Sequence, residues 1–202
     1  MAFDISQFRT NMAQDGARPS LFDVLVTFPV TIPTSSSLTP GADLTFKAHS
    51  SALPGDSIGL ISVNYFGREI KLPGVHTFPE FNMVVYNDED FNILDNLEYW
   101  LSTLNAHVAN TRDSGYVNSA NYSADVTITQ YGKAGGVIKQ YKLVGAFPND
   151  VSPIEVNWAS GDAIEEFTVT WAYQWWEDVP SGSAQGTTDT NAAGPVTQLN
   201  VT

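Results

Sequence analysis

The chain has 202 residues, of which 43% are apolar and 12% aromatic, which is enough to build one hydrophobic core. It carries 22 Asp and Glu against 9 Lys and Arg, and this net charge of −13 argues against a protein that grips nucleic acid through clustered basic side chains. The absence of cysteine excludes disulfides, a thiolate nucleophile and a cysteine-type zinc site.

Alternation of apolar and polar residues predicts β-strands through most of the chain. The first strand, 21–28, places apolar residues on one face and ends at Pro29. That face consists of Phe22, Val24, Val26 and Phe28. The segment that follows, 31–43, is rich in Ser, Thr and Pro and is predicted to belong to a long loop spanning 31–57.

Two hairpins are predicted in the middle of the chain. One joins a strand at 58–66 to a short strand at 69–72 through a turn at Gly67-Arg68. The other joins 124–132 to 136–147 through the glycine-rich sequence KAGG. A further strand at 77–86 has Phe81, Met83 and Val85 on one side.

One segment between these strands has helical rather than strand periodicity. From Asp90 onward, large apolar residues recur every three or four positions, which predicts an amphipathic helix. They are Phe91, Leu94, Leu97, Trp100, Leu101 and Leu104. Asn87 or Asp88 is predicted to cap its N-terminus. The fold class predicted from these elements is mainly β, an antiparallel sandwich of two packed sheets or a rolled barrel, with one flanking helix.

The last predicted strand, 163–176, has the longest alternation in the chain. Its apolar face is predicted to consist of Phe167, Val169, Trp171, Tyr173 and Trp175. Trp176 falls on the opposite face, where an aromatic side chain suits a protein–protein interface. Residues 177–202 have almost no large apolar side chains and are predicted to form a flexible tail after a single domain at 1–176.

Candidate catalytic and ligand-binding patterns are weak. His49, His76 and His107 are far apart in sequence and match no metal-ligand spacing, and Glu165-Glu166 would point to opposite faces of a strand. We therefore predict no catalytic, metal or cofactor-binding residues. There is no secretory signal and no apolar run of about 18 residues, so we expect a soluble protein made inside a cell, without membrane partners.

Five motifs occur in an order and spacing that resemble the tail tube proteins of contractile-tailed bacteriophages of the T4 type. They run from about Arg18 to about Glu177 and read ARPSLFDVLVTFP, SALPGDSIGLISVNYFGREIKLPG, TFPEFNMVVYNDEDFNILDNLEYWL, QYGKAGGVIKQYKLVGAFPNDVSPIEVNW and DAIEEFTVTWAYQWWE. Each motif is weak alone, but the ordered set is specific. The resemblance identifies residues 1–176 as a single tail-tube domain.

The resemblance implies a structural virion protein and no enzyme. Its copies would form hexameric rings that stack into a hollow tube with a negatively charged lumen, and viral DNA would pass through without specific binding. The other partners would be the tail sheath, the baseplate hub, the tape measure protein and the tail terminator. The protein would be a component of the virion tail that is assembled in the host cytoplasm.

The resemblance also indicates where subunits meet. A loop of this region commonly reaches the neighbouring ring, so we expect Arg68 and Glu69 to make contacts between subunits together with Lys47, Leu53 and Pro54 of the 47–57 loop. Trp176 is a further interface candidate. The alternative for Arg68 is an ordinary hairpin residue that points to solvent.

The sequence is also compatible with two alternative functions. The related inner tubes of type VI secretion and other contractile injection systems are the nearest alternative, since they share the fold. A ligand- or carbohydrate-binding β-sandwich that uses exposed aromatic residues is a third interpretation, favoured if the protein stays monomeric and binds sugar.

Overall fold

The computed structural model describes Thr10, residues 16–29 and residues 47–180. Residues 31–46 of the predicted loop 31–57 and the part of the predicted tail after Pro180 lie outside the described residues, and the rest of that loop contains the strand Ala48–Ser51. The strands are β1 (Phe22–Thr27), β2 (Ala48–Ser51), β3 (Ser57–Tyr65), β4 (Arg68–Thr77), β5 (Phe81–Tyr86), β6 (Ala124–Tyr131), β7 (Val137–Val151), β8 (Glu166–Ala172) and β9 (Trp175–Asp178). The helices are α1 (Asn92–Leu104), a 3-10 turn (Ser114–Tyr116) and α2 (Ser119–Tyr122).

All strand pairs are antiparallel, and β7 links the two layers of the fold. Its first half pairs with β6 and β9, and its second half pairs with β8. Between the halves Gly145 has a φ of 65°, a conformation that glycine adopts without strain, and the strand passes from one layer to the other. The layers are β1-β6-β7-β9 and β2-β5-β8-β7. The predicted β-sandwich of two sheets is confirmed, and the rolled-barrel alternative is not adopted.

The hydrophobic core lies where the predicted apolar faces meet. Val24, Val26, Met83, Val85, Val169 and Trp171 are all fully buried. Trp100 reaches this core from α1, with its ring 5.7 Å from Trp171 and 5.2 Å from Phe28. Leu97 is also fully buried, and Ile93, which was not part of the predicted stripe, is buried as well. Of the predicted apolar stripe, only Leu97 and Trp100 are buried, whereas Leu94, Leu101 and Leu104 are half-buried and Phe91 is exposed. No helix in the described ranges is both long enough and apolar enough to cross a bilayer.

The predicted capping of α1 is wrong, because the helix begins later than the acidic run suggested. Its N-cap is Phe91, which has a φ of 52° and makes no side-chain capping bond. The chain first makes a turn in which the Phe91 N–H donates to the Asp88 carbonyl at 2.9 Å. The Asp88 carboxylate instead accepts a hydrogen bond from the Lys47 ammonium at 2.7 Å and one from the Glu89 N–H at 3.0 Å.

The long final strand is interrupted, which corrects the predicted position of Trp175. β8 ends at Ala172 and β9 begins at Trp175, and between them the Gln174 N–H donates to the Val144 carbonyl at 3.1 Å. The break moves the chain from the layer of β5 to the layer of β6. Trp175 is therefore exposed, whereas Trp176 packs against the core with its ring 5.3 Å from Tyr141.

A hydrogen bond between the first strand and the end of β6 leads to a prediction at alkaline pH. The Tyr131 hydroxyl donates to the Asp23 carboxylate at 2.6 Å, which together with partial burial raises the pKa of Tyr131 to about 12. Since this pKa lies above the ordinary value of 10.0, the bond stabilises the fold fully below pH 10 and loses its effect as the pH rises towards 12. Tyr131→Phe should cost about 1–2 kcal/mol at pH 8. In urea titrations, the difference from the wild type should shrink between pH 10 and 11, and a constant difference would contradict this assignment.

Candidate assembly surfaces

The β3–β4 hairpin, residues 57–77, projects from the sandwich as a separate two-stranded sheet, which we call the arm. Its turn is Phe66-Gly67, with φ values of 47° and 76°, one residue earlier than the predicted Gly67-Arg68 turn. Two consecutive positive φ values are what a tight hairpin turn requires, since they match the twist of the strands. Arg68 is thus the first residue of β4, paired with Tyr65.

No other element of the described chain covers the arm along its length. All nine residues of β3 are exposed, and every residue of β4 except Gly74 is exposed as well. A two-stranded sheet without further packing is at best marginally stable in water. The arm is therefore expected to find its packing partner outside its own subunit.

The two faces of the arm differ in chemistry. Directly paired residues share a face, and the pairs Ile61–Leu72 and Val63–Ile70, followed by Tyr65, give one face an apolar stripe. The opposite face carries the pairs Ser62–Lys71 and Asn64–Glu69. A contiguous apolar stripe exposed to water and bordered by polar residues marks a surface that binds another molecule.

The base of the arm is fixed to the sandwich by polar and aromatic contacts. His76 Nε2 lies 2.9 Å from the Asp56 carboxylate, and the hydroxyls of Ser57 and Thr77 are 2.7 Å apart. The His76 ring packs on Phe78 at 4.5 Å, and Phe78 lies 6.2 Å from Tyr173, just beyond the end of β8. The arm therefore leaves the body at the end where β5 begins and β8 finishes.

The structure brings only some of the sequence-predicted interface residues to the arm. Arg68 and Glu69 are exposed near its tip and form no ion pair among the described residues, and exposed Leu53 and half-buried Pro54 lie in the segment that leads into β3. Lys47 lies elsewhere. Its ammonium pairs with Asp88 beside α1 and lowers the pKa of that carboxyl, chiefly through the hydrogen bond.

Trp176 is also separate from the arm. It is half-buried in its own subunit against Tyr141, and its indole N–H is buried without a hydrogen-bond partner among the described residues. This N–H is already shielded from water within the subunit. A neighbouring chain could therefore accept its hydrogen bond only after the surrounding side chains rearrange.

A second exposed apolar surface was missed by the sequence reasoning. In the segment between β7 and β8, the side chains of Val156, Trp158 and Ile164 are largely or fully exposed. The only signal in the sequence is the presence of large apolar residues in a loop that has neither strand nor helix periodicity.

This loop adjoins an apolar groove against the outer side of α1. The groove has a volume of about 580 Å³ and is lined mainly by apolar side chains, with Glu98 and His107 among them. The apolar lining residues are Phe91, Leu94, Leu101, Val151, Pro153 and Ile154. A second depression of about 740 Å³ continues along the loop and contains Trp158 and Glu155. We call residues 153–166 together with the groove the acidic surface.

Two of the three histidines pair with a carboxylate. His49 Nδ1 lies 3.2 Å from Glu166 and stacks on Tyr86 at 4.5 Å, and His76 pairs with Asp56 as noted above. Within the described ranges, no group of three or more such side chains is placed to hold a metal ion.

Comparison with known proteins agrees with the sequence motifs. The phage tail tube protein family matches residues 17–178. The chain is 29% identical over 164 residues to the tail tube protein gp19 of Enterobacteria phage T4, which covers 81% of this chain and 92% of that protein. It is 24% identical over 171 residues to the tail tube protein of Serratia phage KSP90, covering 84% and 93% of the two chains.

Solved structures with a similar fold come from contractile systems. A chain in the cryo-EM structure of the anti-feeding prophage baseplate aligns with a TM-score of 0.58 and 12% identity over 83% of this chain and 98% of that one. A chain in the sheath-tube complex of the extracellular contractile injection system PVC, in the extended state, has a TM-score of 0.54 and 17% identity, covering 88% and 100%. At these identities, the likeness establishes the fold alone.

The family match begins before β1 and ends with β9, so it includes both layers of the sandwich, the arm and the acidic surface. A tail tube protein is a structural component of the virion tail, and the prediction that the chain is not an enzyme is confirmed by this match. The chain belongs to the phage tail tube protein family.

Proposed function

We propose that this chain is the repeating subunit of a hollow tail tube, in which copies close into hexameric rings and the rings stack on one another. The observation that carries this proposal is the exposed, amphipathic arm, because a hairpin with an uncovered apolar stripe requires a surface on another molecule. Ring closure and stacking also supply partners for the edges of the outer strands β1, β2 and β9.

The charge of the chain suits passage of viral DNA into the host. Six chains with a net charge of −13 bring −78 to each ring. Duplex DNA carries about one negative charge per 1.7 Å of its axis, so a lumen of the same sign would repel the phosphates and let the DNA slide without specific binding. Assembly in the host cytoplasm follows from the same role.

The remaining partners are those of a contractile tail: the sheath around the tube, the baseplate hub, the tape measure protein and the tail terminator. Support comes from the similarity in fold to chains of a contractile-system baseplate and of a sheath-tube complex. For contacts between subunits, we propose Arg68, Glu69, Leu53 and Pro54, since all four lie on the arm or in the segment leading into it. Lys47 and Trp176 stay secondary candidates, because both already have partners or packing within the subunit.

The inner tube of a contractile injection system is the second candidate function. The observation in its favour is that the fold is shared with the anti-feeding prophage and PVC systems. Neighbouring genes distinguish the two, since capsid and portal genes would accompany a phage tail, whereas effector and ATPase genes would accompany an injection system.

Negative-stain electron microscopy of the purified chain over a range of concentrations and salt levels tests the proposal. We expect rings or hollow tubes. A chain that stays monomeric at every concentration, and also in the presence of its cognate baseplate, would overturn the proposed function.

Arg68→Glu should weaken assembly without altering the monomer. A charge-assisted hydrogen bond contributes about 1.5–3 kcal/mol, so losing one per contact should raise the concentration needed for tubes about tenfold or more. The matched control is Arg18→Glu, which makes the same charge change at an exposed residue before β1. Normal tubes from Arg68→Glu at the wild-type concentration would support the alternative in which this side chain only points to solvent.

A further inference from the structure

We propose that the arm of one copy docks on the acidic surface of the next copy, so that the subunit carries a projecting part and its receptor at opposite ends. This inference rests on the proposed function and adds to it the identity of the receiving surface. It is carried by three observations, namely the placement of the two surfaces, their apolar side chains and their charges.

The two surfaces lie at opposite ends of the same pair of strands. In the β5–β8 pair, Phe81 faces Trp171 at one end and Tyr86 faces Glu166 at the other. The arm enters β5 at the Phe81 end, and the acidic surface runs into β8 at the Glu166 end, where the Asn87 N–H donates to the Glu165 carbonyl at 2.8 Å. Six residues of strand separate these ends by roughly 20 Å. In the described structure, the arm is exposed along its length and does not lie on the acidic surface of its own subunit.

Both surfaces expose apolar side chains, which are about half exposed on the arm and largely or fully exposed on the acidic surface. The arm offers Ile61, Val63, Ile70 and Leu72, and the acidic surface offers Val156, Trp158 and Ile164 beside the apolar groove. A fully exposed tryptophan next to a groove is the type of residue that dominates binding energy when a partner buries it. The arm, two strands wide and apolar on one face, can lie along such a surface.

The charges of the two surfaces are opposite. Residues 153–166 of the acidic surface contain four acids and no Lys, Arg or His, and the groove adds Glu98 and His107. The arm carries Arg68 and Lys71 against the single acid Glu69. Glu98, Glu155 and Asp162 form no ion pair among the described residues. In a chain of net charge −13, the arm is thus one of the few exposed segments that would not be repelled by this surface. This complementarity favours a second copy of the chain as the occupant.

A contact between two different patches of the same subunit is heterologous, so it propagates from copy to copy. It closes into a ring or continues as a filament, depending on the rotation between successive copies. Either outcome is compatible with a tube, and both require the same pair of surfaces to be in contact.

Disulfide cross-linking can test this contact cleanly because the chain contains no native cysteine. The variant Leu72→Cys with Trp158→Cys places one thiol on the apolar face of the arm and one on the acidic surface. Under oxidation in assembly conditions, we expect a ladder of trimers and larger species on a non-reducing gel. The control pairs Leu72→Cys with Val117→Cys, an exposed residue outside both surfaces, and should give few species beyond dimers.

The results of cross-linking and of electron microscopy distinguish a wrong receiving surface from a wrong function. If the cysteine pair assembles into tubes but gives no ladder, or if the control gives an equal ladder, the assignment of the receiving surface is overturned while the tube function stands. If the wild type forms neither rings nor tubes under any condition, the proposed function itself fails.

Should the cysteines disturb assembly, charge reversal provides an independent measurement. Arg68→Glu and Glu155→Arg alone should each raise the concentration needed for assembly about tenfold, and the double variant should recover to within about threefold of wild type, because opposite charges are restored across the contact. If the fold-increases of the two single variants simply multiply in the double variant, the two side chains do not interact and the proposed contact is overturned. Unchanged melting temperatures of the unassembled chains establish that each variant is folded.

Discussion

Replacing Val63 and Ile70 together by aspartate is expected to abolish tube formation while leaving the monomer folded and equally stable. The two side chains face each other on the exposed apolar face of the arm, where Val63 is 45% and Ile70 49% exposed. Burying the exposed half of each side chain in an assembly contributes about 1 kcal/mol, and this contribution is lost. Placing two carboxylates in the same interface adds a desolvation cost. The concentration required for assembly should therefore rise by more than about 100-fold.

The matched control places the same two charges on the other face of the arm. Ser62→Asp with Asn64→Asp adds −2 on the polar side of β3, beside Lys71 and Glu69. We expect this variant to form tubes at a concentration within about tenfold of wild type. Electron microscopy and sedimentation measure assembly, and thermal unfolding of the unassembled chain measures stability. Equal loss of tubes in both variants would show that added charge, and not the apolar face, decides assembly.

The second large effect is expected in the core, where Trp100 and Trp171 are both fully buried and lie 5.7 Å apart. Trp100→Ala should lower the free energy of unfolding by about 3–5 kcal/mol, because it leaves a large cavity between α1 and the sheets. Domains of this size are stable by only about 5–15 kcal/mol, so a measurable fraction of the variant should be unfolded near its physiological temperature. Urea denaturation, followed by the fluorescence of the remaining tryptophans, measures this change.

A pair of milder variants separates packing from hydrogen bonding at this site. The Trp100 indole N–H donates to the Tyr122 carbonyl at 2.8 Å, whereas the Trp171 N–H has no partner among the described residues. Both Trp→Phe changes remove similar volume, but only Trp100→Phe deprives a carbonyl of its donor. Trp100→Phe should therefore be the more destabilising by about 1–2 kcal/mol. The reverse order would mean that the bond between α1 and residue 122 contributes little to stability.

The family assignment also bears on the monomeric carbohydrate-binding interpretation of the exposed aromatic residues. Trp171 and Trp100 are fully buried in the core, and Trp176, which was predicted to lie at an interface, packs partly against Tyr141, so all three side chains are used for packing within the subunit. Trp158 is the fully exposed tryptophan of the described chain, and it lies on the surface that we assign to contact with another subunit.

The local sequence pattern was sufficient to predict the strands that have one buried face. In β5 and β8 every second residue is buried, and in β1 Val24 and Val26 are buried while Phe22 is half-buried against the core, so the residues of these strands predicted to face the core do so. The reason is that a strand has a side-chain period of two, so burial on one face leaves a direct trace in the sequence. The helix was predicted from the same kind of periodicity, although only Leu97 and Trp100 of its predicted apolar stripe are buried.

Predictions failed where a neighbouring element changed the local conformation. The cap of α1 was misplaced because the chain makes a further turn after Asp88 and the helix begins only after Phe91, while the Asp88 carboxylate binds Lys47, which is distant in sequence. The last strand was predicted as continuous because Trp175 keeps the alternation, yet β7 pairs with β8 in one layer and with β9 in the other. Neither pairing partner can be identified from the local pattern of the strand itself.

The sequence by itself determined that the chain is an acidic, mainly β protein with one amphipathic helix, and its ordered motifs indicated the tail tube family. Only the tertiary structure decided that the YFGR hairpin stands clear of the sandwich and that Trp158 lies exposed beside an apolar groove. In the arm, alternation of apolar residues looks the same whether the apolar face packs within the subunit or on another one. Burial is a property of the whole arrangement of chains, so the sequence of one segment can specify an apolar face but not the molecule that covers it.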